Sequence, residues 1–300
     1  MSKLTWVILL VLSMAGIATF YPITKTLAGA IDPYVLAFFR YFIATLVLIP
    51  IMVQQHSLRL PPKNELPMFL LLAFLFVIPT ALIVMGVALT NSVASAILVN
   101  TNALLVAILS PLLISELMTM RKMLGFIIGF AGVIAVVLNG ESVAVALNSS
   151  YAFGSALLLT AALVSGLFGI YAKASVRKHD GLYVTFFASA FGSVMLALLL
   201  VARGGFQSLP DPTVSVILSL LAIGILCTAV PHVIWSSSLK HLDAHKAASF
   251  KLLIPIFVAF YSLFFLDEHF TLWMFLGLIL TCIGIYLVQR DDTRAVPSHT

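Results

Sequence analysis

Ten long stretches of apolar residues dominate this chain, separated by short connections that carry charged residues, Pro or Asn/Asp/Gly. Each stretch is about 16–27 residues long, close to the roughly 20 residues that cross a bilayer as a helix. The stretches lack the alternating polar positions of a barrel strand, so helix is the structure that satisfies their backbone in hydrocarbon. The sequence therefore predicts an all-α membrane protein with these transmembrane helices: Leu4–Leu27, Pro33–Val53, Leu66–Ala88, Ser92–Leu113, Met123–Leu138, Tyr151–Ala172, Leu182–Val201, Thr213–Leu239, Ala244–Leu266 and Leu272–Val288.

The composition excludes the main classes of soluble protein. Of the 300 residues, 62% are hydrophobic and only 9% are charged, whereas a soluble domain carries about 25% charged residues. Cys227 and Cys282 both lie in apolar stretches, so we expect no disulfide framework, no metal site and no cofactor. The net charge of the chain is +5, which we attribute to basic loops that face anionic lipid. We therefore expect no nucleic-acid partner.

The Lys and Arg residues predict the orientation, because positive charge is enriched in cytoplasmic loops. With the N-terminus inside, only Lys25 and Arg203 lie outside, and Arg40 and Lys251 lie within spans. The other twelve basic residues are then cytoplasmic: Lys3, Arg59, Lys63, Arg121, Lys122, Lys173, Arg177, Lys178, Lys240, Lys246, Arg290 and Arg294. We expect both termini in the cytoplasm, a bacterial inner (plasma) membrane location, and a first span that is retained, since its apolar stretch exceeds that of a signal peptide.

The chain also contains an internal repeat. A shift of 152 residues places three residues of the first half on like residues of the second: Pro79 on Pro231, Gly125 on Gly277 and Gly132 on Gly284. A repeat of five spans is odd-numbered, so the second copy must be inverted in the membrane, as in secondary transporters. The predicted organisation is a first repeat over 1–140, an external linker over 141–150, a second repeat over 151–290 and a cytoplasmic tail over 291–300.

Several short motifs carry a resemblance to a known family. They are Pro33-Tyr-Val-Leu-Ala-Phe-Phe-Arg40, Leu112-Leu-Ile-Ser-Glu116 followed by Thr119, Gly125 and Gly132, and Leu252-Leu-Ile-Pro255 followed by Leu266-Asp-Glu268, Thr271, Gly277 and Gly284. In order and duplication they resemble the EamA type of the drug/metabolite transporter superfamily. The resemblance implies two five-helix repeats whose first four helices surround a central cavity, with the fifth helices at the periphery. It also implies transport of amino acids or other small metabolites, mostly as export.

Three charged or titratable residues within the spans are the first candidates for substrate contacts: Arg40, His232 and Lys251. A charge at membrane depth usually faces a cavity or a partner, although Arg and Lys near a helix end can also extend to the interface. No Asp or Glu lies deep in any predicted span, so a cavity lined by these residues favours a substrate that carries a carboxylate or phosphate. Uncharged candidates for the same cavity are Tyr21, Asn100, Asn102, Tyr171 and Trp235, and we expect at least one Asn to hydrogen-bond between helices.

Proline and glutamate mark further positions. Pro79 and Pro231 lie mid-span and predict either a pair of hinges or two static bends. Pro255 has no counterpart in the first repeat, which predicts a local helix break in the second half only. Glu116 and Glu268 lie at helix ends, where helix capping and charge pairing are the expected roles and a proton relay is the alternative.

These observations favour a secondary transporter without a catalytic site. The main hypothesis is an exporter of amino acids or related carboxylate-bearing metabolites that works by alternating access. Broad-specificity drug efflux and metabolite uptake are the alternatives, as are a channel and, more remotely, a membrane-embedded enzyme. We expect a small-molecule substrate and the lipid bilayer as partners, leave proton coupling open, and expect no obligate protein partner.

The predicted topology can be tested with reporter fusions. Gln289 lies on the side with most of the positive charges, so a reporter fused after it should be in the cytoplasm. A reporter fused within Asn139–Ser150 should be outside the cytoplasm, because that segment lies on the side with few positive charges. Alkaline phosphatase and green fluorescent protein fusions measure the two locations. Phosphatase activity after Gln289 would contradict the topology.

Overall fold

The computed structural model describes residues 3–56, 59–114, 119–140, 149–176, 178–205, 212–238, 250–266 and 268–291. Within these ranges the chain forms helices and no strand. The helices are α1 (Lys3–Ala18 and Phe20–Leu27), α2 (Pro33–His56), α3 (Leu66–Leu89), α4 (Ser92–Asn100 and Asn102–Ile114), α5 (Met120–Leu138), α6 (Ser150–Val176), α7 (Gly181–Ala202), α8 (Val214–Gly224, a π turn over Ile225–Ala229, and Val230–Ser238), α9 (Leu253–Phe265, preceded by a 3₁₀ turn over Phe250–Leu252) and α10 (Leu272–Asp291).

The ten helices confirm the ten predicted spans, most to within three residues at each described end. Seven of them are long and apolar enough to cross a membrane, and three shorter apolar helices cover Ser92–Val106, Phe250–Phe265 and Leu272–Val288. The start predicted for the ninth span, Ala244, lies outside the described residues, as do Glu116 and most of the predicted linker over 141–150.

Two threonines interrupt helices in the first half. At Thr19 in α1 and at Thr101 in α4, the backbone N–H bonds to the carbonyl three residues earlier, on Gly16 and Leu98 respectively, instead of four. Each hydroxyl donates to the same carbonyl, at 2.8 Å for Thr19 and 2.6 Å for Thr101. Such bonding competes with the regular helical pattern. The prediction of a break in the second half only was therefore wrong, because Thr101 breaks α4 without a proline.

The crossing of α5 and α10 shows how the two halves are related. A Cβ built on Gly132 would lie 2.8 Å from the carbonyl oxygen of Gly277, and one built on Gly277 would lie 2.8 Å from that of Gly132. Gly125 meets Gly284 in the same way. Residue numbers rise along α5 as they fall along α10, so these equivalent helices of the two repeats are antiparallel. The repeats are therefore inverted, and small residues let their backbones approach closely.

Other helices pack in the same reciprocal manner. α3 packs on α6, and α8, the equivalent of α3 in the second repeat, packs on α1, the equivalent of α6. α2 packs on its own equivalent, α7. Helices from both halves therefore form the main apolar core. The bundle consists of two interleaved five-helix halves rather than two separate domains.

The bundle has two ends, which we call the Lys25 end and the Glu65 end. The Lys25 end holds the connections that follow the odd-numbered helices, and the Glu65 end holds those that follow the even-numbered ones. At the Glu65 end, the carboxylate of Glu65 lies 2.7 Å from Nε2 of His179 and 3.0 Å from Nζ of Lys178. The hydrogen bond from His179, assisted by Lys178, holds the pKa of Glu65 below its ordinary value.

The glycine crossing can be tested by adding a single methyl group. In Gly132→Ala, the new Cβ would lie 2.6 Å from Oγ1 of Thr281 and 2.8 Å from the Gly277 oxygen, so the helices must separate. Overpacking of this kind costs about 1–3 kcal/mol, and we expect a lower apparent melting temperature in detergent by fluorimetry. Gly169→Ala is the matched control, because a Cβ at Gly169 meets nothing within 4 Å. Equal melting temperatures for the two variants would disprove the close contact.

Candidate substrate cavity

A cavity of about 210 Å³ lies between helices of both repeats. Its walls come from α1, α6, α7, α8 and the turn that begins α9, through the residues Ile17, Phe168, Thr185, Pro231, His232, Trp235 and Lys251. Thr185 lies in the first turns of α7 and Lys251 precedes α9, so the cavity lies toward the Glu65 end. The cavity therefore combines an apolar wall with a few polar groups, as small-molecule sites do.

Lys251 supplies the positive charge of the cavity. Its Nζ lies 4.7 Å from the centroid of the Trp235 ring, within the range of a cation–π interaction. Lys251 as a whole is exposed, and it lines the cavity. Among the residues that the structure describes, no carboxylate forms an ion pair with Lys251.

His232 is oriented by the helix that carries it. Its Nδ1 lies 2.6 Å from the carbonyl oxygen of Thr228. A carbonyl only accepts, so Nδ1 carries the proton and donates it, and Nε2 of the neutral ring is an acceptor. The ring edge also packs against Phe76 at 5.6 Å between centroids. Backbone and aromatic contacts thus hold the imidazole in one orientation.

Arg40 contacts the same turn of α8 from a different direction. Its Nε donates to Oγ1 of Thr228 at 3.0 Å, and Oγ1 of Thr228 donates to the carbonyl of Ile223 at 3.0 Å. The guanidinium carbon lies 4.2 Å from the centroid of the Phe20 ring. Arg40 does not line the cavity itself, but Thr228 connects it to His232.

The π turn places these groups. Pro231 lacks the N–H that would continue the α-helical pattern, and the five residues Ile225–Ala229 just before Pro231 adopt π geometry. Gly16 allows α1 to approach this turn closely, since a Cβ on Gly16 would lie 2.7 Å from the carbonyl oxygen of Leu226. π turns inside α-helices occur frequently at functional sites.

The two predicted hinge prolines have different surroundings. Pro79 lies within a continuous α-helix, where the hydroxyl of Tyr41 bonds to the carbonyl of Phe76 at 2.8 Å and to Oγ1 of Thr80 at 2.7 Å. Only Pro231 has a π turn beside it. The pair is symmetric in sequence but not in structure.

The structure does not bring the remaining predicted contact residues to this cavity. Tyr21 is buried in the main core and packs edge-on against Phe20, and Tyr171 packs in a second apolar cluster of α2, α3, α7 and α8. Asn100 donates to the carbonyl of Ala96 in its own helix at 3.1 Å. Asn102 begins the second segment of α4, beyond the break at Thr101.

Sequence reasoning missed four residues of this region: Ile17, Phe168, Thr185 and Thr228. Ile17 and Phe168 are ordinary apolar residues that give no signal. Thr185 and Thr228 are polar residues within spans and could have been found by the criterion that selected the asparagines.

A family model, related sequences and a solved structure each match this chain. The model of the EamA-like transporter family matches residues 4–138 and 152–290. An uncharacterized transporter of Archaeoglobus fulgidus is 26% identical over 95% of this chain and 97% of its own length. The uncharacterized transporter YoaV of Bacillus subtilis is 26% identical over 86% of this chain and 87% of its own. One solved crystal structure has a TM-score of 0.66 at 16% identity, over 98% of this chain and all of its own, which shows the same fold.

Proposed function

Because this chain belongs to the EamA-like transporter family, we propose that it is a secondary transporter for small metabolites that carry a carboxylate. Family membership and the ten apolar helices make it a multi-pass membrane transporter. The observation that carries the finer proposal is that Lys251 lines the cavity without a carboxylate partner among the described residues. A substrate carboxylate supplies that partner.

Charge selects the substrate class. An unpaired cation at membrane depth is costly, and a hydrogen bond between charged groups recovers about 1.5–3 kcal/mol. Arg40 adds a second positive charge near the same turn of α8, and no ion pair neutralises it within the described part of the chain. This environment favours anions and zwitterions over the cationic compounds that many drug exporters carry.

The size of the cavity also favours a small metabolite as the substrate. About 210 Å³ is less than the roughly 300–1,000 Å³ of sites for drug-sized ligands. Phe168, Pro231 and Trp235 provide an apolar wall for a short side chain, while Lys251 holds the carboxylate. An amino acid or similar metabolite fits this combination better than the alternative of broad-specificity drug efflux.

The charge distribution supports an orientation in the membrane, on which the proposed location and direction rest. If the Glu65 end is cytoplasmic, as the basic residues predict, the cavity lies toward the cytoplasm and the structure is an inward-facing state of alternating access. Export then begins with substrate entering from the Glu65 end, across a bacterial inner membrane with both termini in the cytoplasm. Proton coupling is a further proposal, for which Nε2 of His232 is the candidate group.

The charge preference can be tested by replacing Lys251. In Lys251→Gln, we expect uptake of the transported amino acid into inverted vesicles to fall about ten-fold or more, because the charge-assisted bond is lost. The discrimination between that amino acid and its amide, which lacks the carboxylate, should fall as well. Lys63→Gln is the matched control: it removes an exposed cation at the same end of the bundle, away from the cavity.

The substrate for this test comes from a screen of labelled amino acids with the reconstituted protein, with and without a pH gradient. Arg40→Gln should also weaken transport by disturbing the turn that holds His232. If neither substitution changes affinity or rate while Glu116→Gln abolishes transport, the two cations do not select the substrate and a carboxylate does.

A further inference from the structure

The corner between α3 and α4, at the Lys25 end, is bound by a residue from the opposite repeat. The carboxylate of Glu268, in the connection between α9 and α10, accepts hydrogen bonds from the backbone N–H of Ser92 at 3.0 and 3.1 Å. It accepts a third from the hydroxyl of Ser92 at 3.1 Å. Ser92 is the first residue of α4, so a second-repeat carboxylate caps a first-repeat helix.

Lys25 binds the other side of the same corner. Its Nζ donates to the carbonyl of Val87 at 3.0 Å and to that of Thr90. The carboxylate thus lies at the positive end of the α4 dipole and the ammonium at the negative end of α3, which is the favourable arrangement for both. Lys25 and Glu268 also interact electrostatically with each other. We call Lys25, Ser92 and Glu268 the corner clamp.

Glu268 satisfies the N–H of Ser92, in addition to a cap that the first repeat supplies itself. Asn91 already caps α4, because its side-chain oxygen accepts from the N–H of Ala94 at 2.7 Å, and the hydroxyl of Ser95 donates to the carbonyl of Asn91 at 2.7 Å. Lys25 and the corner belong to one repeat, whereas Glu268 joins the two repeats. The bond between Glu268 and Ser92 is therefore the part of the clamp that relative movement of the repeats must break.

We propose that Glu268 is a gating residue, whose bond to Ser92 holds the Lys25 end closed while the cavity lies toward the Glu65 end. Under the clamp, Ser92 and Ser95 are completely buried. Substrate that leaves the cavity at the Lys25 end has to separate α4 from the connection between α9 and α10. The inference rests on the proposed alternating-access transport but not on the substrate class.

Cysteine labelling tests the gate without any substrate. In a background with Cys227 and Cys282 replaced by Ala, Ser95→Cys reports whether the Lys25 end is open. An impermeant maleimide added on that side of the membrane should label this cysteine about ten-fold faster in Glu268→Ala, which corresponds to about 1.4 kcal/mol of lost closure. Glu268→Gln, which keeps one acceptor oxygen, should lie between Glu268→Ala and the parent.

Asp32→Ala is the matched control. Asp32 is also an acidic residue at the Lys25 end, but its carboxylate accepts from the N–H of Tyr34 at 2.8 Å, at the start of its own helix. Its removal should leave the labelling rate unchanged. If Glu268→Ala labels at the parent rate, or if Asp32→Ala accelerates labelling equally, Glu268 is not a gate.

A locked variant keeps the test independent of how well Glu268→Ala folds. In the same background, Ser92→Cys and Glu268→Cys together should be joined by a short, reducible bifunctional thiol cross-linker, which spans the length that the Glu268 side chain covered, and transport should then fall at least ten-fold and recover on reduction. Full transport by the cross-linked protein would overturn the proposal. Because labelling uses no substrate, a failed gate is distinguishable from a failed Lys251 experiment, which leaves labelling unaffected.

Discussion

The need to satisfy backbone hydrogen bonds in hydrocarbon determines most of this structure. A lipid environment offers no partner to a free N–H or carbonyl, so each interruption of a helix comes with a local replacement. The hydroxyls of Thr19 and Thr101 bond to carbonyls at the two helix breaks. At the π turn of α8, Thr228 bonds to the carbonyl of Ile223 and His232 to that of Thr228. Of these groups, His232 lines the cavity and Thr228 holds it there.

The arrangement of charge follows from the same constraint. Lys25 and Glu268 bond to the free ends of two helices at one end of the bundle, so their charges are used where backbone groups lack partners. Arg40 has an aromatic face and a threonine hydroxyl, and Lys251 has an aromatic face alone among the described contacts. Of these four residues, Lys251 is therefore the one for which we propose contact with a substrate anion.

The sequence predicted the helices well because length and apolar character alone decide which segments cross a bilayer. It also predicted the inverted repeat, since Gly125, Gly132, Gly277 and Gly284 mark the crossing of α5 and α10. The side-chain contacts were harder to predict. An isolated sequence does not show which way a helix is rotated, so Asn100 and Tyr21 were as plausible in a cavity wall as Trp235. The break at Thr101 was also unpredictable, because threonine is common in regular transmembrane helices.

The crossing of α5 and α10 has a consequence for the origin of the chain. Gly132 contacts Gly277, and Gly125 contacts Gly284. In the repeat, Gly277 is the counterpart of Gly125, and Gly284 is the counterpart of Gly132. A single five-helix unit with these two glycines on its fifth helix could therefore form the same contact with an inverted copy of itself. The interface does not depend on the two halves being one polypeptide. Two copies of one subunit share one sequence and cannot differ from each other. Fusion would have let the two halves diverge, and the π turn beside Pro231, which has no counterpart beside Pro79, is such a difference.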